Sequence, residues 1–168
     1  MISVVLYEPE IPQNTGNIMR TCMAFNMKLY LIEPLGFSLD DQHLKRAHMD
    51  YINELDYKIY PNYDEFIKEH NDGQFVYFSR YGMKSFDECI FEKDKDIYLL
   101  FGKESTGIPK TILKDHLDST FRFPMNKDAR SLNLSNCVAI GAFECLRQVG
   151  FDGLSDREVI KGADWLLK

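Results

Sequence analysis

Short apolar runs broken by polar punctuation set the pattern of this chain. Ile2 to Tyr7 is almost continuously hydrophobic and stops at Pro9, which predicts a strand buried on both faces. Lys28 to Ile32 predicts a second strand, stopped by Glu33-Pro34. Asp56 to Tyr60, Gln74 to Ser79, Ile97 to Phe101 and Thr120 to Phe123 follow the same rule, the last ending at Pro124. Between these runs the spacing turns helical. Asn14 or Thr15 is the candidate cap of a helix through about Asn26, with Ile18, Cys22 and Phe25 on its buried stripe and Met19 and Met23 flanking it. Asn17 and Arg20, three apart, share a different face of that helix. Asp40 or Asp41 would cap a short helix carrying Leu44 and Ala47. Tyr63 to His70 and Pro109 to Leu117 read as short helices, Asn133 to Val149 as a long one closed by Gly150, and Asp156 to Leu167 as a last one.

Strands and helices alternate at spacings typical of parallel βα units. The predicted fold class is therefore α/β: one domain over residues 1–168, built on a mostly parallel sheet flanked by helices. A length of 168 residues, with 45% hydrophobic and 13% aromatic side chains, suits one such domain with a real core. No apolar run has the length of a membrane span, and no basic segment precedes the first run, which reads as a strand rather than a signal peptide. Cys22, Cys89, Cys137 and Cys145 lack C-x-x-C spacing and read as buried free thiols of a cytoplasmic protein. His43, His48, His70 and His116 show no metal spacing, and no Ser/His/Asp or Cys/His pairing stands out, so the expected chemistry is metal-free. A net charge of -6 argues against holding nucleic acid by bulk charge. A local basic patch remains open, drawn from Arg20, Lys28, Lys45, Arg46, Arg80, Lys84, Lys103, Lys127 and Arg130.

Three polar runs stand out against this background: Glu8 to Arg20, Phe101 to Pro109, and Arg130 to Asn136. Each follows a predicted strand or opens a predicted helix. Ligands of parallel sheets bind beyond the carboxyl ends of the strands, so all three runs are expected at one edge. The second run is no Walker loop, because Gly107 is followed by Ile108-Pro109 and Lys103 is misplaced; no G-x-G-x-x-G follows the first strand either. What remains is a tight turn, suited to an adenine or ribose edge, or a plain strand-to-helix turn in which Gly107 relieves strain. The third run has four polar side chains where a helix cap needs one. Behind it, Cys137, Ala139, Gly141, Ala142 and Cys145 are small enough for close approach to another helix or to a cofactor. Arg20 reads either as a surface arginine or as a bidentate clamp for a phosphate near a helix N-terminus.

In order and content the three runs resemble the motifs of the SPOUT RNA methyltransferases, and most of all the tRNA (cytidine/uridine-34)-2'-O-methyltransferases, from about Ser3 to about Gly150. The resemblance implies a deep C-terminal trefoil knot, with the knot and an S-adenosyl-L-methionine site over about 75–150 and a C-terminal helix over 155–168. It places the cofactor on Phe78, Gly102, Gly107, Phe123, Ser131, Leu132 and Asn136, and the catalytic roles on Arg20 and Asn14 of the first motif and Glu104 of the second. It further implies a homodimer that holds the anticodon stem-loop of tRNA across both subunits. The implied target is the ribose of the wobble nucleotide, C or U at position 34, with leucine tRNAs foremost. Two positions depart from the family's pattern: Thr106 stands where an arginine is common, and Phe143 where a tyrosine precedes the matched Glu144. A non-catalytic RNA-binding module and a 2'-O-methyltransferase of ribosomal RNA are the alternatives.

Overall fold

Val4, Val5, Leu6 and Leu99 are completely buried because their strands lie in the middle of a sheet covered on both faces. The computed structural model describes residues 1–40 and 55–168. Its strands are β1 (Ile2–Tyr7), β2 (Lys28–Ile32), β3 (Tyr57–Tyr60), β4 (Gln74–Phe78), β5 (Lys84–Ser85), β6 (Ile97–Phe101) and β7 (Thr120–Arg122). They form one seven-stranded sheet in the order β3-β2-β1-β6-β4-β7-β5, and every pairing is parallel. The α/β class and the parallel sheet expected from the sequence are therefore present. No helix among the described residues is long and apolar enough to cross a membrane.

Alternation along the strands builds two cores. Val4, Leu6, Leu29, Leu31, Val76 and Phe101 face α1 (Pro12–Ala24) and the long final helix (Leu134–Val149), whose Ile18, Met19, Cys22, Val138, Ala142 and Cys145 close that layer. Val5, Tyr30, Ile32, Tyr77, Tyr98 and Leu100 face the other way, onto Phe66 of α2 (Tyr63–Glu69) and Leu113 of α3 (Lys110–Lys114). The long final helix is thus α4. On the second face His70 lies between two phenols, Nε2 at 2.9 Å from Tyr60 Oη and Nδ1 at 2.9 Å from Tyr98 Oη. Burial holds its pKa below the ordinary histidine value.

Several expectations need correction. The first helix begins at Pro12 with Ile11 as its N-cap, not at Asn14 or Thr15. Proline fits the first turn, where no intrahelical N–H bond is required. Asn14 is used elsewhere, as shown below, and Thr15 is fully buried. The helix expected over Asp156 to Leu167, within the C-terminal helix placed at 155–168, does not form. Only a 3₁₀ turn at Trp165–Leu167 is present, and Gly162 sits at φ +88° within the segment. Val159, Ile160, Leu166 and Leu167 are 75–90% exposed, so no described surface covers the apolar face that such a helix needs for stability. β5 has no signature in the sequence, because its two residues, Lys84 and Ser85, carry no hydrophobic run. Asn133 does cap α4, accepting the N–H groups of Ser135 and Asn136, and Gly150 ends it at φ +106°. The short helix expected around Leu44 and Ala47 lies outside the described residues.

Candidate functional site

The carboxyl ends of β1, β6, β4 and β7 all open toward one side, as the parallel sheet requires. The three polar runs meet there around a single carboxylate. Glu104 accepts hydrogen bonds from the backbone N–H of Glu10 (2.8 Å) and Ile11 (3.2 Å) and from Nδ2 of Asn14 (3.0 Å). An isoleucine cannot cap a helix with its side chain, so the second run supplies a carboxylate cap for α1 from ninety residues away, where the helix dipole favours negative charge. Asn14 Oδ1 in turn accepts from Asn133 Nδ2 at 2.9 Å, and Asn133 Oδ1 caps α4. One hydrogen-bonded chain, Glu104–Asn14–Asn133, therefore joins the three runs.

Two further pairs brace the junction. Lys103 Nζ meets Glu8 at 2.6 Å, and Glu8 holds φ +47°, an uncommon conformation for a residue with a side chain. The backbone N–H and hydroxyl of Ser105 both donate to Glu10 at 2.9 Å, which holds the Glu10 carboxyl below the usual carboxylate range. The loop closes on itself through Gly107 N–H to the Lys103 carbonyl. A Cβ at Gly102 would lie 2.1 Å from the Gly107 carbonyl carbon, and Gly107 has φ +73°. Both glycines are thus dictated by the loop's geometry.

Beside this junction lies a cavity of about 600 Å³, within the range of small-molecule sites. Three stacked rings line it. Phe78 lies 4.4 Å from Phe101 at an interplanar angle of 2°, and 5.0 Å from Phe123 at 12°. The small residues of α4 explain how the helix covers these rings: a Cβ at Gly141 would stand 3.2 Å from both Phe78 and Phe101. The close approach is thus made to the aromatic stack. Of the cofactor residues expected from the sequence, Phe78, Gly102, Gly107, Phe123, Ser131 and Leu132 line the cavity, as do Asn14 and Glu104. Asn136 does not; it sits in the first turn of α4, exposed, with its N–H on Asn133.

Arg20 also stands apart from the cavity. It lies six residues beyond Asn14 on α1, roughly 9 Å along the axis and on a different face. It is exposed, and no described residue pairs with it. The basic patch contracts in the folded chain, because Lys28, Lys84 and Lys103 are engaged by Asp56, Asp118 and Glu8. Arg122, which the sequence pattern did not single out, joins Arg80 on the cavity lining. The four cysteines are unpaired; Cys22, Cys89 and Cys145 are buried, and Cys137 is half-buried on the cavity wall, its thiol pushed up to about 11 by burial.

Comparison with known proteins bears on what this arrangement does. Residues 1–143 match the SpoU rRNA Methylase family. Over 155 residues the chain is 44% identical to a tRNA (cytidine(34)-2'-O)-methyltransferase of Saccharophagus degradans, covering 91% of this chain and 99% of that protein. A solved structure concerned with 2-OH methylation of C/U34 on tRNA is 40% identical with a TM-score of 0.83, covering 89% of this chain and 96% of that one. An AdoMet-bound rRNA methyltransferase from Sinorhizobium meliloti is 25% identical with a TM-score of 0.76, covering 87% of this chain and 56% of that one.

Proposed function

We propose, from the premise that the chain belongs to the SpoU rRNA methylase family, that it methylates the ribose 2'-hydroxyl of the wobble nucleotide, C or U at position 34, of tRNA. S-adenosyl-L-methionine is the methyl donor. The observation that carries this reading is the chain Glu104–Asn14–Asn133, which gathers three separate polar runs at the edge of one cavity. The residues fit the donor. Phe123, Leu132 and Leu134 on the cavity lining give it an apolar wall for its adenine. An added Cβ at Gly107 would meet nothing within 4 Å, so the backbone there is open to a ligand. Ser131 and the loop 102–107 supply polar edges for the ribose and amino-acid ends.

When bound, the donor supplies an electrophilic methyl group on a sulfonium. The protein's task is to align a weak ribose nucleophile in line with that methyl and to provide for its proton. Alignment of this kind contributes up to about 7–11 kcal/mol in the best intramolecular cases. Glu104 is committed to three N–H donors and acts as a positioning residue: it fixes the start of α1 and, through Asn14, the start of α4. Arginine side chains are effectively never deprotonated in proteins, so Arg20 serves as a clamp that orients an RNA phosphate and stabilises developing negative charge. A phosphate oxygen or a water takes the proton.

Arg20 stands away from the cavity of its own subunit, and this supports a homodimer in which a partner copy brings its Arg20 to the cavity. The exposed surface of α4 supports the same reading. Ile140 and Phe143 are 46% and 51% exposed, and Phe143 contacts both Phe25, next to α1, and Phe151. Burying such a stripe in a two-fold interface would juxtapose the α1–α4 layers of two copies. The same reading includes a trefoil knot over about 75–150, within a single domain of 168 residues, in a cytoplasmic protein. Membership of the SpoU family supports it. The test is methyl transfer from labelled S-adenosyl-L-methionine to bulk tRNA, followed by digestion to nucleosides. A 2'-O-methylated pyrimidine from the anticodon loop is expected. Label confined to ribosomal RNA, or no transfer at all, would reject the assignment.

A further inference from the structure

The turn after β4, Ser79 to Met83, combines a fixed backbone with unusually open side chains. Tyr81 is 74% exposed and Met83 84%. The backbone beneath them is pinned. Ser79 N–H donates to the Phe121 carbonyl at 3.0 Å, Gly82 N–H to the Ser79 carbonyl at 3.1 Å, and Tyr81 N–H to Ser79 Oγ at 3.2 Å. Arg122 Nη1 reaches the Arg80 carbonyl at 3.2 Å from the next strand. Gly82 has no room for a Cβ against Phe121. A turn held this firmly keeps a large aromatic ring in water at the mouth of the cavity, where Arg80, Tyr81 and Arg122 all line the wall.

The chemistry around that ring is cationic. The Arg80 guanidinium lies 5.4 Å from the Tyr81 ring centroid. Neither Arg80 nor Arg122 forms an ion pair with a described carboxylate, in a chain whose net charge is -6. The neighbouring Lys84, by contrast, is paired with Asp118 at 3.1 Å. Two guanidinium groups without a carboxylate partner, beside an exposed aromatic ring, suit a polyanion that carries flat rings. They suit the cationic sulfonium donor poorly. We propose that Tyr81 is a stacking platform for an unpaired nucleobase of the RNA substrate next to the target ribose, with Arg80 and Arg122 holding the adjoining phosphate. This rests on the RNA-modifying reading above and adds a specificity-determining contact to it. Base–aromatic stacking tolerates different bases, so the platform selects an unstacked, single-stranded nucleotide rather than one sequence.

The test measures binding of a fluorescent anticodon stem-loop RNA and, separately, of S-adenosyl-L-methionine, to the full chain. Stacking on an aromatic contributes about 1–3 kcal/mol per base by alanine substitution, so Tyr81→Ala is expected to raise the Kd for RNA about 5- to 150-fold. Tyr81→Trp should restore RNA binding, and the Kd for S-adenosyl-L-methionine should stay within about twofold. Arg80→Gln should lower the slope of log Kd against log salt by about 1. An unchanged RNA Kd in Tyr81→Ala, or an equal loss of cofactor binding, overturns the platform. The two readings fail separately. Tyr81-dependent RNA binding without methyl transfer to tRNA would keep the platform and reject the proposed activity. Normal methylation and RNA binding by Tyr81→Ala would do the reverse.

Discussion

Glu104→Ala is the sharpest perturbation of the junction, because three donors lose one acceptor. The two backbone N–H groups at the start of α1 would lose their cap, at about 0.5–2 kcal/mol. Asn14, only 7% exposed, would keep its bond from Asn133 but leave Nδ2 without a partner, at about 1–3 kcal/mol. Glu104 is half-buried and water can reach part of the gap, so the lower half of the combined range applies, about 2–3 kcal/mol. For a chain of this size that corresponds to a Tm lower by about 4–12 °C. Glu104→Gln can keep its carbonyl oxygen on Ile11 N–H and Asn14 Nδ2 but turns its NH₂ toward the Glu10 N–H, so it should recover only part of the loss. Thermal unfolding by circular dichroism reads the stability, and calorimetry with S-adenosyl-L-methionine reads the cavity. A change in Tm below about 1 °C, with cofactor binding intact, would refute the positioning role. If kcat alone then collapsed, the carboxylate would belong to proton transfer instead.

Three other perturbations test separate parts of the account. Arg20→Lys keeps the charge but loses the planar fork, so methylation at saturating RNA should fall at least about tenfold with cofactor affinity unchanged; near wild-type turnover would sink the clamp. Gly102→Ala forces a Cβ against the Gly107 backbone, and should weaken S-adenosyl-L-methionine binding at least about tenfold while lowering Tm. The Glu144 carboxyl is pulled down to about 2 by hydrogen bonds from Arg147 and Gln148. Its folded-state pKa lies below the unfolded value, so its contribution is present above about 4.5 and is lost as pH falls toward 2. Glu144→Gln should therefore flatten the decline of Tm over that window, and an unchanged slope would contradict the assignment.

Most of the sheet is legible in the sequence because its strands are short apolar runs with proline or glycine stops, and parallel strands buried on both faces need nothing subtler. The start of α4 near Asn133 and its stop at Gly150 are legible for the same local reason. What escapes is tertiary. The N-terminus of α1 is capped by Glu104, far along the chain, so local Ser, Asn and Thr preferences point instead to Asn14, whose amide serves the same carboxylate from inside the helix. Apolar residues near the C-terminus are spaced for an amphipathic helix, but spacing alone does not supply the surface that buries them. The site residues in glycine and asparagine runs are visible because those residues bend or bind backbone. Arg122 is hidden at the end of a strand, and Tyr81 in a turn with no motif of its own.

The central claim is that the chain modifies one hydroxyl of one nucleotide. The most direct measurement uses two otherwise identical tRNA transcripts, one with ribose and one with 2'-deoxyribose at wobble position 34, incubated with the protein and labelled S-adenosyl-L-methionine. The account expects stoichiometric label in the first and none in the second. Equal labelling of both would contradict it.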